Sequence, residues 1–365
     1  MSLDVPYPPD YGGVFDLFYK IKTLHKLGIK IHLHCFEYGR GEQNELKKYC
    51  EEIFYYKRNT VVNAIRWKIP YIVSSRINAT LLKNLIKDNY PILLEGIHCT
   101  YYLYHGELNG RKVMVRLHNV EFEYYHQLAK SANHFFKKIY YGLESELLKK
   151  YEKSIAQKAR LVTVNQKDVH TYQRVFNAAD VKFLPVFLPF TEVASQTGKG
   201  NFCLYHGNLS VAENEKAVSW LLQNVFLNLD ILLIIAGKNP SRFLRNEIQK
   251  NKNAELISNP SHEKMEELIR NAHIHLLPSF NSTGIKIKLL HALFNGRFII
   301  TNHSSVQDTG LESLCDIAEG ARDYIGLIYQ LFKVSFTEKE IEKRKKILLP
   351  TFDNEKNARQ LMKWL

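Results

Sequence analysis

The chain has 365 residues, which is long for one hydrophobic core and favours two domains of ordinary size. Hydrophobic residues make up 45% of the chain and aromatic residues 12%, and this composition excludes an intrinsically disordered protein. A formal charge of +13 predicts an anionic partner, which leaves nucleotide phosphates, nucleic acid and an acidic membrane surface as candidates.

The cysteines and the hydropathy pattern indicate the compartment. The five cysteines are odd in number and too scattered for paired metal-ligand spacing, so we expect free thiols in a reduced cytoplasmic compartment. No run approaches the roughly 20 apolar residues that span a bilayer. The polar, proline-rich first residues do not read as a secretory signal. We therefore expect any contact with lipid to be peripheral.

Helices and strands alternate along the first half of the chain, a pattern typical of βαβ units and a mostly parallel sheet. The predicted helices are 14–27, 42–50, 79–87 and 168–176, with one long amphipathic helical stretch over 121–158. The predicted strands are 29–36, 53–56, 71–74, 92–95, 112–118, 161–165 and 181–184.

A glycine loop precedes the first predicted helix and reads Tyr7-Pro-Pro-Asp-Tyr-Gly-Gly. Its paired glycines, Gly12 and Gly13, allow a ligand to approach the backbone closely at the positive end of a helix. A flexible turn is the alternative interpretation.

Polar residues follow the predicted strand 112–118, in the order His118-Asn119-Val120-Glu121. Ligands of open α/β sheets bind where parallel strands end, so these side chains are candidates for a site. A structural role for His118 is the alternative.

The polar stretch 191–201 is the best candidate for a linker, because the alternation of strands and helices restarts after it. We predict an N-terminal domain over 1–190, a C-terminal domain over 202–349, and a final segment over 350–365 that packs back on the N-terminal domain. The predicted later strands are 202–206, 231–236, 254–257, 274–277 and 298–301. The predicted later helices are 213–226, 241–250, 262–271, 285–294, 322–333, 338–347 and 354–365.

The segment 276–301 predicts a strand, a polar loop, a helix and a second strand. The loop residues Ser282, Thr283 and Gly284 precede the helix, whose free N–H groups and dipole favour an anion. Lys286 and Lys288 add positive charge in the first turns. The pattern predicts a site for a phosphorylated ligand, and an ordinary helix start with two solvated lysines is the alternative.

Several of these motifs together resemble glycosyltransferase family 4, the group 1 glycosyltransferases, over nearly the whole chain. The glycine loop is similar to the family's N-terminal loop, which faces the interdomain cleft. The other motifs are Arg116-Leu-His-Asn-Val-Glu, Leu148-x-x-Tyr-Glu152, Tyr205-His-Gly-Asn-Leu with Asn214 and Trp220, Ile234-Ile-Ala-Gly-Lys, and Gly284-x-x-x-Lys288-Leu-Leu-His291-Ala-Leu-x-x-Gly296 before Ile299-Ile-Thr. The resemblance implies the GT-B fold, in which two Rossmann-like α/β domains with mostly parallel sheets face each other across a cleft.

The chain departs from the family at two acidic positions. Family members carry two glutamates with seven residues between them, and these positions fall on Thr283 and His291 here. In the family the first acid meets the donor sugar and the second the ribose hydroxyls, and the resemblance predicts that a glutamate is tolerated at 291. Asn208 stands where many members place an arginine.

The resemblance implies a glycosyltransferase that moves a sugar from a nucleotide-diphosphate donor to an acceptor hydroxyl. It implies retention of anomeric configuration and no metal or other cofactor, with the nucleotide sugar as co-substrate. The implied catalytic residues are His118 and Lys288. The implied diphosphate-binding residues are Gly13, Asn208, Lys238, Ser282, Thr283, Gly284 and Lys288. The implied sugar and ribose ligands are Asn281, Thr283 and His291, and the acceptor-side residues are Gly12, Asn119 and Glu121.

The expected partners are a nucleotide sugar, a glycan or lipid-linked acceptor and the anionic inner face of a membrane, in bacterial surface-polysaccharide or glycolipid assembly. Nucleic acid is not expected, and the sequence does not define an oligomeric state. One alternative is a catalytically silent protein that binds a nucleotide sugar or a glycan. A sugar-nucleotide epimerase or an oxidoreductase is less favoured, because no G-x-G-x-x-G opens a helix.

Overall fold

The computed structural model describes residues 1–10, 12–59, 66, 68–132, 134–281 and 283–365. Within them the chain forms two compact units, one of Met1–Pro189 with Phe352–Leu365 and one of Phe190–Thr351. Each unit is α/β, and its described strands pair in parallel. Across these residues, no helix combines the length and the apolar character needed to cross a bilayer.

The first unit contains the elements of the N-terminal half of the chain. Its described strands are β1 (His32–Glu37), β2 (Glu52–Lys57), β3 (Ile92–Glu95), β4 (Val113–Leu117), β5 (Arg160–Thr163) and β6 (Val181–Phe183). Its described α-helices up to Pro189 are α1 (Gly12–Lys26), α2 (Tyr71–Ser74), α3 (Ala79–Leu85), α4 (Tyr101–Tyr104), α5 (Glu121–Ser131), α6 (Phe135–Ile155) and α7 (Gln166–Phe176).

The strands of this unit form a four-stranded sheet in the order β3-β4-β5-β6 and a separate β1-β2 pair. The first residues of the chain lie between them. Ser2 N–H donates to the His34 carbonyl on β1 at 2.7 Å, and Glu95 N–H on β3 donates to the Met1 carbonyl at 2.9 Å. This short extended segment therefore connects the two sets of strands.

The second unit is built around one six-stranded parallel sheet. Its described strands are β7 (Phe202–Asn208), β8 (Leu232–Lys238), β9 (Ala254–Ser258), β10 (Ile274–Leu276), β11 (Phe298–Thr301) and β12 (Asp316–Ile317). The described α-helices here are α8 (Ala212–Asn224), α9 (Arg242–Gln249), α10 (His262–Asn271), α11 (Ile287–Asn295), α12 (His303–Val306), α13 (Ala321–Lys333) and α14 (Glu338–Thr351), and the chain then ends in α15 (Asn354–Trp364) of the first unit.

The strand order in the second sheet is β12-β11-β10-β7-β8-β9. The connections therefore run in opposite directions from β7, and the carboxyl ends of β7 and β10 flank the switch point where open α/β sheets bind ligands. Gly237 on β8 is required nearby, because a Cβ there would lie 1.9 Å from the carbonyl oxygen of Gly207 on β7. The two strands thus approach closely at this edge.

Helix α15 belongs to the core of the first unit. Its buried Ala358 and Leu361 pack in one hydrophobic cluster with Leu24 of α1 and Met114 of β4. The side chain of Asn354 accepts a hydrogen bond from Leu188 N–H at 3.1 Å and donates to the Leu188 carbonyl at 2.6 Å. The last residues of the chain therefore complete the interior of the unit that contains the first.

The segment 191–201, predicted as a linker, lies within the second unit. Ala194 N–H donates to the Phe294 carbonyl of α11 at 2.8 Å. The buried Ser195 hydroxyl accepts from Arg344 of α14 at 2.9 Å. These bonds attach the segment to the two helices.

Three predicted elements are wrong in type or in number. The predicted strand 71–74 is helix α2, because Pro70 supplies the φ of a helix start and the Tyr71 N–H donates to the Glu144 carboxylate at 2.9 Å. The predicted helical stretch 121–158 is two helices, since Ala132 takes an extended conformation between them. The predicted helix 42–50 is a 3-10 turn over Asn44–Lys48.

The buried carboxylate of Glu152 on α6 caps the N-terminus of α5. It accepts from the N–H groups of Glu121 and Phe122, both at 2.9 Å, and from the Tyr172 hydroxyl at 2.6 Å. These contacts satisfy backbone donors that α5 leaves free at its first turn. Glu152 therefore fixes the helix that follows the candidate residues His118 and Asn119.

We predict that Glu152→Ala lowers the free energy of unfolding of the first unit by about 2–4 kcal/mol, because buried donors lose their acceptor. Glu146→Ala is the matched control, since Glu146 lies on the same helix with an exposed side chain. Urea denaturation followed by circular dichroism measures both variants. Equal midpoints for the two variants would contradict the capping role.

Candidate functional site

In the first unit, His118 follows the end of β4 and faces two carboxylates. Its Nε2 donates to Glu95 Oε2 at 3.1 Å, and its Nδ1 lies 3.9 Å from Asp16 Oδ2. Glu95 is the last residue of β3, and Asp16 lies one turn into α1. The strand ends and the helix therefore hold this imidazole in one orientation.

Two buried cations balance the carboxylates. Lys20 Nζ lies 2.7 Å from Glu95 Oε1 and 3.1 Å from Asp16 Oδ2, while an Arg116 guanidinium nitrogen lies 3.2 Å from Asp16 Oδ1. Burial acts to raise the pKa of Asp16, but Arg116 and Lys20 outweigh it and lower that pKa. Burial also opposes the ionised form of Glu95, and Lys20 followed by His118 lowers its pKa. Both carboxylates are therefore ionised acceptors.

The ligand atoms of Asp16, Glu95 and His118 lie within 4.8 Å of one another, a spacing that metal ions accept. The oxygens, however, already pair with Lys20 and Arg116. A divalent cation would enter beside two fixed positive charges and be repelled by both. The charge balance favours an ion network that orients His118.

The other candidates of this unit lie on the elements next to His118. Helix α1 begins at Gly12, two residues earlier than predicted, so Gly12 and Gly13 form its first turn ahead of Asp16. Asn119 is half-buried and hydrogen-bonds the Glu121 side chain. Glu121 is buried, and burial raises its pKa to about 7.

In the second unit, Lys288 lies in the first turn of α11 and reaches the end of β7. Its Nζ donates to the Tyr205 hydroxyl and to Asn214 Oδ1, each at 2.9 Å, and lies 4.7 Å from the centroid of the Tyr205 ring. The Asn214 amide in turn donates to the Asn208 carbonyl at 2.8 Å. These bonds hold the ammonium at the switch point of the sheet.

The charge of Lys288 responds to its surroundings. Burial lowers the pKa of Lys288 to about 8; Glu213 acts to raise it, and Lys286 adds to the lowering. Glu213 Oε1 lies 3.7 Å from Lys286 Nζ and accepts from the Ser279 hydroxyl at 2.5 Å. Two lysines and one glutamate leave this part of the sheet edge with a net positive charge.

The loop before α11 is held by its own hydrogen bonds. Asn281 Oδ1 accepts from the Thr283 N–H at 2.9 Å and from the Thr283 hydroxyl at 2.8 Å, and both residues are buried. Gly284 has a φ of +63°, which a glycine adopts without strain. Ser282 lies outside the described residues. The loop keeps Asn281 and Thr283 in fixed positions.

Helix α11 begins at Ile287, two residues later than predicted. Thr283 and Gly284 therefore precede the first turn, and the residue at the cap position is Lys286. Its side chain makes no hydrogen bond to the first turn and instead donates to the Thr283 carbonyl at 3.1 Å. The N–H groups of that turn receive no side-chain acceptor from the cap and can meet an anion.

Asn208 and Lys238 end the adjacent strands β7 and β8 and are register partners. The Asn208 side chain accepts from the N–H of Ser210 at 3.1 Å and from its hydroxyl at 2.8 Å, so it shapes the loop after β7. The structure thus brings Asn208, Lys238 and Lys288 to one edge of the sheet.

His291 lies one turn beyond Lys288 and faces a carboxylate from another helix. Its Nε2 is 2.7 Å from Glu266 Oε1 of α10. Burial acts to raise the pKa of Glu266, but the bond and charge of His291 outweigh it and lower that pKa. The Phe190 and His206 rings lie 5.1 and 6.0 Å from the imidazole. An acid is therefore present beside position 291.

Sequence reasoning missed the charged neighbours of the candidates. Asp16 and Lys20 carried a signal, because they lie four residues apart on an otherwise apolar face of α1. Glu95 is the final residue of a predicted strand, which marks the ligand-binding edge. Glu213 and Glu266 carried no signal, since each meets its partner across a long sequence separation.

Solved structures share this fold. The chain aligns over its full length with 96% of a sucrose-phosphate synthase from Thermosynechococcus elongatus, with a TM-score of 0.70 and 12% identity. Anabaena HepE, solved in complex with UDP-glucose, gives a TM-score of 0.65 at 10% identity, and the match covers 99% of this chain and 98% of that one. A glycosyltransferase from Rickettsia africae gives a TM-score of 0.63 at 15% identity, covering 96% of this chain and 94% of that one. These likenesses show the GT-B fold.

Residues 200–320 match the family model described as glycosyl transferases group 1. The chain therefore has the GT-B fold and carries a group 1 glycosyltransferase domain over these residues. Its group 1 domain contains Asn208, Lys238, Lys288 and His291. An uncharacterized 44.6 kDa protein in the cps region of Klebsiella pneumoniae is 27% identical to this chain over 329 residues, and the match covers 85% of this chain and 84% of that protein.

The contact between His291 and Glu266 changes the expectation for a glutamate at 291. We predict that His291→Glu destabilises the second unit by about 1–2 kcal/mol, because two carboxylates then face each other in a partly buried place. Adding Glu266→Gln restores the lost stability. Urea denaturation of the wild type, both single variants and the double variant measures the coupling, and additive effects would contradict the direct contact.

The pKa of Lys288 predicts how the affinity for a nucleotide diphosphate depends on pH. Between pH 7 and pH 9 the ammonium loses its proton, so the dissociation constant of UDP rises by roughly tenfold if only the charged form binds. Lys288→Arg stays charged over this range and flattens the profile. Calorimetric titration at pH 7, 8 and 9 provides the measurement, and parallel profiles for both proteins would contradict this role of Lys288.

Proposed function

We propose that this glycosyltransferase moves a sugar from a nucleotide-diphosphate donor to an acceptor hydroxyl, with the donor diphosphate beside Lys288. The observation that carries the proposal is the placement of the Lys288 ammonium at the β7 and β10 switch point by Tyr205 and Asn214. The family match over the same residues supports it. Anabaena HepE, which shares the fold, was solved with UDP-glucose.

The chemistry of the departing group explains why a lysine is useful there. As the bond from the sugar to the diphosphate breaks, negative charge grows on the leaving phosphate oxygens. A fixed ammonium and the N–H groups at the start of α11 stabilise that charge without rearranging. Lys286 and Lys238 add positive charge at the same sheet edge, while Asn208 and Gly284 shape the backbone around it.

The remaining donor contacts belong to the loop and helix around Lys288. His291, held by Glu266, hydrogen-bonds the ribose, and Asn281 and Thr283 line the sugar. Ser282 completes this set by its sequence position. Because Thr283 has no carboxylate, its contact with the sugar is a hydroxyl contact.

The first unit supplies the acceptor side of the proposed reaction. His118 is the proposed catalytic residue there, and its Nε2 proton is directed to Glu95. Nδ1 faces Asp16 at the longer distance of 3.9 Å. Gly12, Asn119 and Glu121 are the proposed acceptor-side residues, and Gly13, a diphosphate ligand by sequence resemblance, lies in the first turn of α1.

We further propose retention of configuration and independence of metal ions. Lysines and helix N–H groups perform the charge stabilisation that a metal supplies in other transferases. The Asp16 and Glu95 carboxylates are paired with Lys20, so they are poorly placed to hold a diphosphate-bound cation. Retention then proceeds by front-face attack, with the leaving diphosphate accepting the proton of the acceptor hydroxyl.

The relative in the Klebsiella pneumoniae cps region supports a proposal for the biological setting. We assign the glycosyltransferase to bacterial cell-surface polysaccharide or glycolipid assembly, acting in the cytoplasm on a glycan or lipid-linked acceptor. The basic charge of the chain suits a location at an anionic membrane surface.

One alternative has its own observation. The hydroxyl and N–H of Thr283 both bond to Asn281, so the first acidic position of the family carries a residue engaged within its own loop. This favours a catalytically silent protein that binds a nucleotide sugar without turning it over. Turnover separates the two functions.

We predict that the purified protein releases nucleotide diphosphate slowly from one member of a panel of nucleotide sugars, with EDTA present throughout. Lys288→Ala lowers kcat/KM by about 10²–10³-fold, because it removes a charge that acts on the leaving group. Lys250→Ala is the matched control, since Lys250 is an exposed lysine of the same unit. Proton NMR of the released sugar, or of the product with an acceptor, gives the anomeric configuration.

The outcomes separate the parts of the proposal. Tight binding without release of diphosphate supports the silent alternative. Loss of turnover in EDTA overturns metal independence, and an inverted product overturns the retaining mechanism. Failure of every nucleotide sugar to bind or to raise Tm overturns the function itself.

A further inference from the structure

The start of helix α6 carries a row of large apolar side chains that point to solvent. Phe135 is 72% exposed and Phe136 84%, and Leu143 is 64% exposed. Ile139 and Tyr140 continue the row between them at 45% and 41%. These five residues, here called the α6 apolar row, recur at helical spacing, so they form one continuous stripe over the first turns. Single exposed apolar residues need no explanation, but a contiguous stripe indicates a binding surface.

The charge at the tip of the helical hairpin, where the α6 apolar row begins, is one-sided. No acidic residue occurs between Tyr124 and Leu143, although the whole chain contains 37 of them. Lys137 and Lys138 lie within the row and Lys130 at the end of α5, and all three are exposed. This surface therefore combines apolar side chains with positive charge, which complements an anionic bilayer. A surface that binds another folded protein through apolar contacts would not require the absence of acidic residues over 124–143.

The helical hairpin of α5 and α6 holds the row away from the core of the unit. Helix α5 starts directly after β4, and α6 runs back along it, with the Tyr125 and Tyr141 rings 5.9 Å apart. The Ser145 hydroxyl donates to the Phe122 carbonyl at 2.8 Å. Residues 134–140 are all exposed, whereas Glu144 and Ser145 are the first buried residues of α6. The hairpin thus has a fixed base and an uncovered tip.

We infer that the α6 apolar row and its lysines form a membrane-docking surface for an anionic lipid bilayer. The phenyl rings enter the interface between headgroups and acyl chains, and the lysine ammonium groups pair with lipid phosphates. The hairpin then joins the bilayer to the carboxyl end of β4, where His118 lies. Binding to the bilayer does not depend on the proposed transferase activity. The further consequence, that a lipid-linked acceptor is presented to the first unit, rests on that activity.

Vesicle co-sedimentation tests the surface directly. The probes are vesicles of phosphatidylcholine with 30% phosphatidylglycerol and vesicles of phosphatidylcholine alone, with the full chain and no nucleotide sugar. We expect Phe135→Ser with Phe136→Ser to reduce partition about a hundredfold on anionic vesicles, since burying each ring contributes roughly tenfold. Lys137→Ala with Lys138→Ala reduces it by about 25-fold, at about fivefold per lysine, and 0.5 M salt weakens the wild type in the same direction.

Matched controls come from the second unit. Leu227→Ser with Phe243→Ser removes two apolar side chains of similar exposure, 69% and 58%, and Lys250→Ala with Lys252→Ala removes two exposed lysines. Both control pairs are expected to sediment within twofold of the wild type. Urea midpoints unchanged by the Phe135 and Phe136 substitutions show that the surface residues are not required for folding.

Three results overturn the inference. The first is a wild type that does not sediment with anionic vesicles, and the second is variants that sediment as the wild type does. The third is a shift from dimer to monomer on Phe135→Ser with Phe136→Ser, seen by light scattering, without vesicle binding; this result assigns the row to a second copy of the chain. We expect these substitutions to leave the release of diphosphate from a nucleotide sugar in lipid-free buffer unchanged. A wild type that binds vesicles but releases no diphosphate would therefore contradict the proposed function and leave the docking surface intact.

Discussion

The first unit depends on the neutralisation of two carboxylates inside its core. Asp16 and Glu95 are buried and ionised, and they remain so because Lys20 and Arg116 lie within 3.2 Å of them. The same groups hold backbone: Asp16 accepts from the Phe187 N–H at 2.8 Å, and Arg116 donates to the Leu184 carbonyl at 2.6 Å. Removing one member of such a network leaves an unpaired buried charge, which typically costs about 3–5 kcal/mol. The ion network that neutralises Asp16 and Glu95 therefore also positions His118.

The second unit differs, because its cation Lys288 is held by neutral partners and its charge is not cancelled by them. Lys288 bonds to the neutral oxygens of Tyr205 and Asn214, so its charge is solvated by the protein but not cancelled by a direct ion pair with either. Glu213 approaches the neighbouring Lys286 at 3.7 Å. The charges at the end of β4 are fully paired, whereas the lysine at the end of β7 is under-neutralised. The two sheet edges therefore differ in their electrostatics. The edge at β4 is a closed ion network, and the edge at β7 carries positive charge that suits an anion.

Local patterns predicted elements well where one face of the element is apolar. The strand Phe298–Thr301 and the helix His262–Asn271 have the predicted bounds, because turn residues and a regular apolar period delimit both. The strand prediction at 71–74 failed because Pro70 and the distant Glu144 carboxylate decide that conformation. The same limit applies to the site. Lys288 and Gly284 follow from spacing within one motif, whereas Glu266 reaches His291 from another helix, and only the folded chain brings them together.

The return of α15 to the first unit makes that unit discontinuous in sequence, which constrains when its core can be completed during synthesis. The second unit is one continuous segment, Phe190–Thr351, and all its strands have been translated before α15 emerges. The core of the first unit is incomplete until then, because Ala358 and Leu361 of α15 pack against α1 and β4, which lie much earlier in the sequence. Until those residues arrive, apolar surface around Leu24 and Met114 stays uncovered. The core of the first unit can therefore be completed only after the whole second unit has been translated, because α15 packs against α1 and β4.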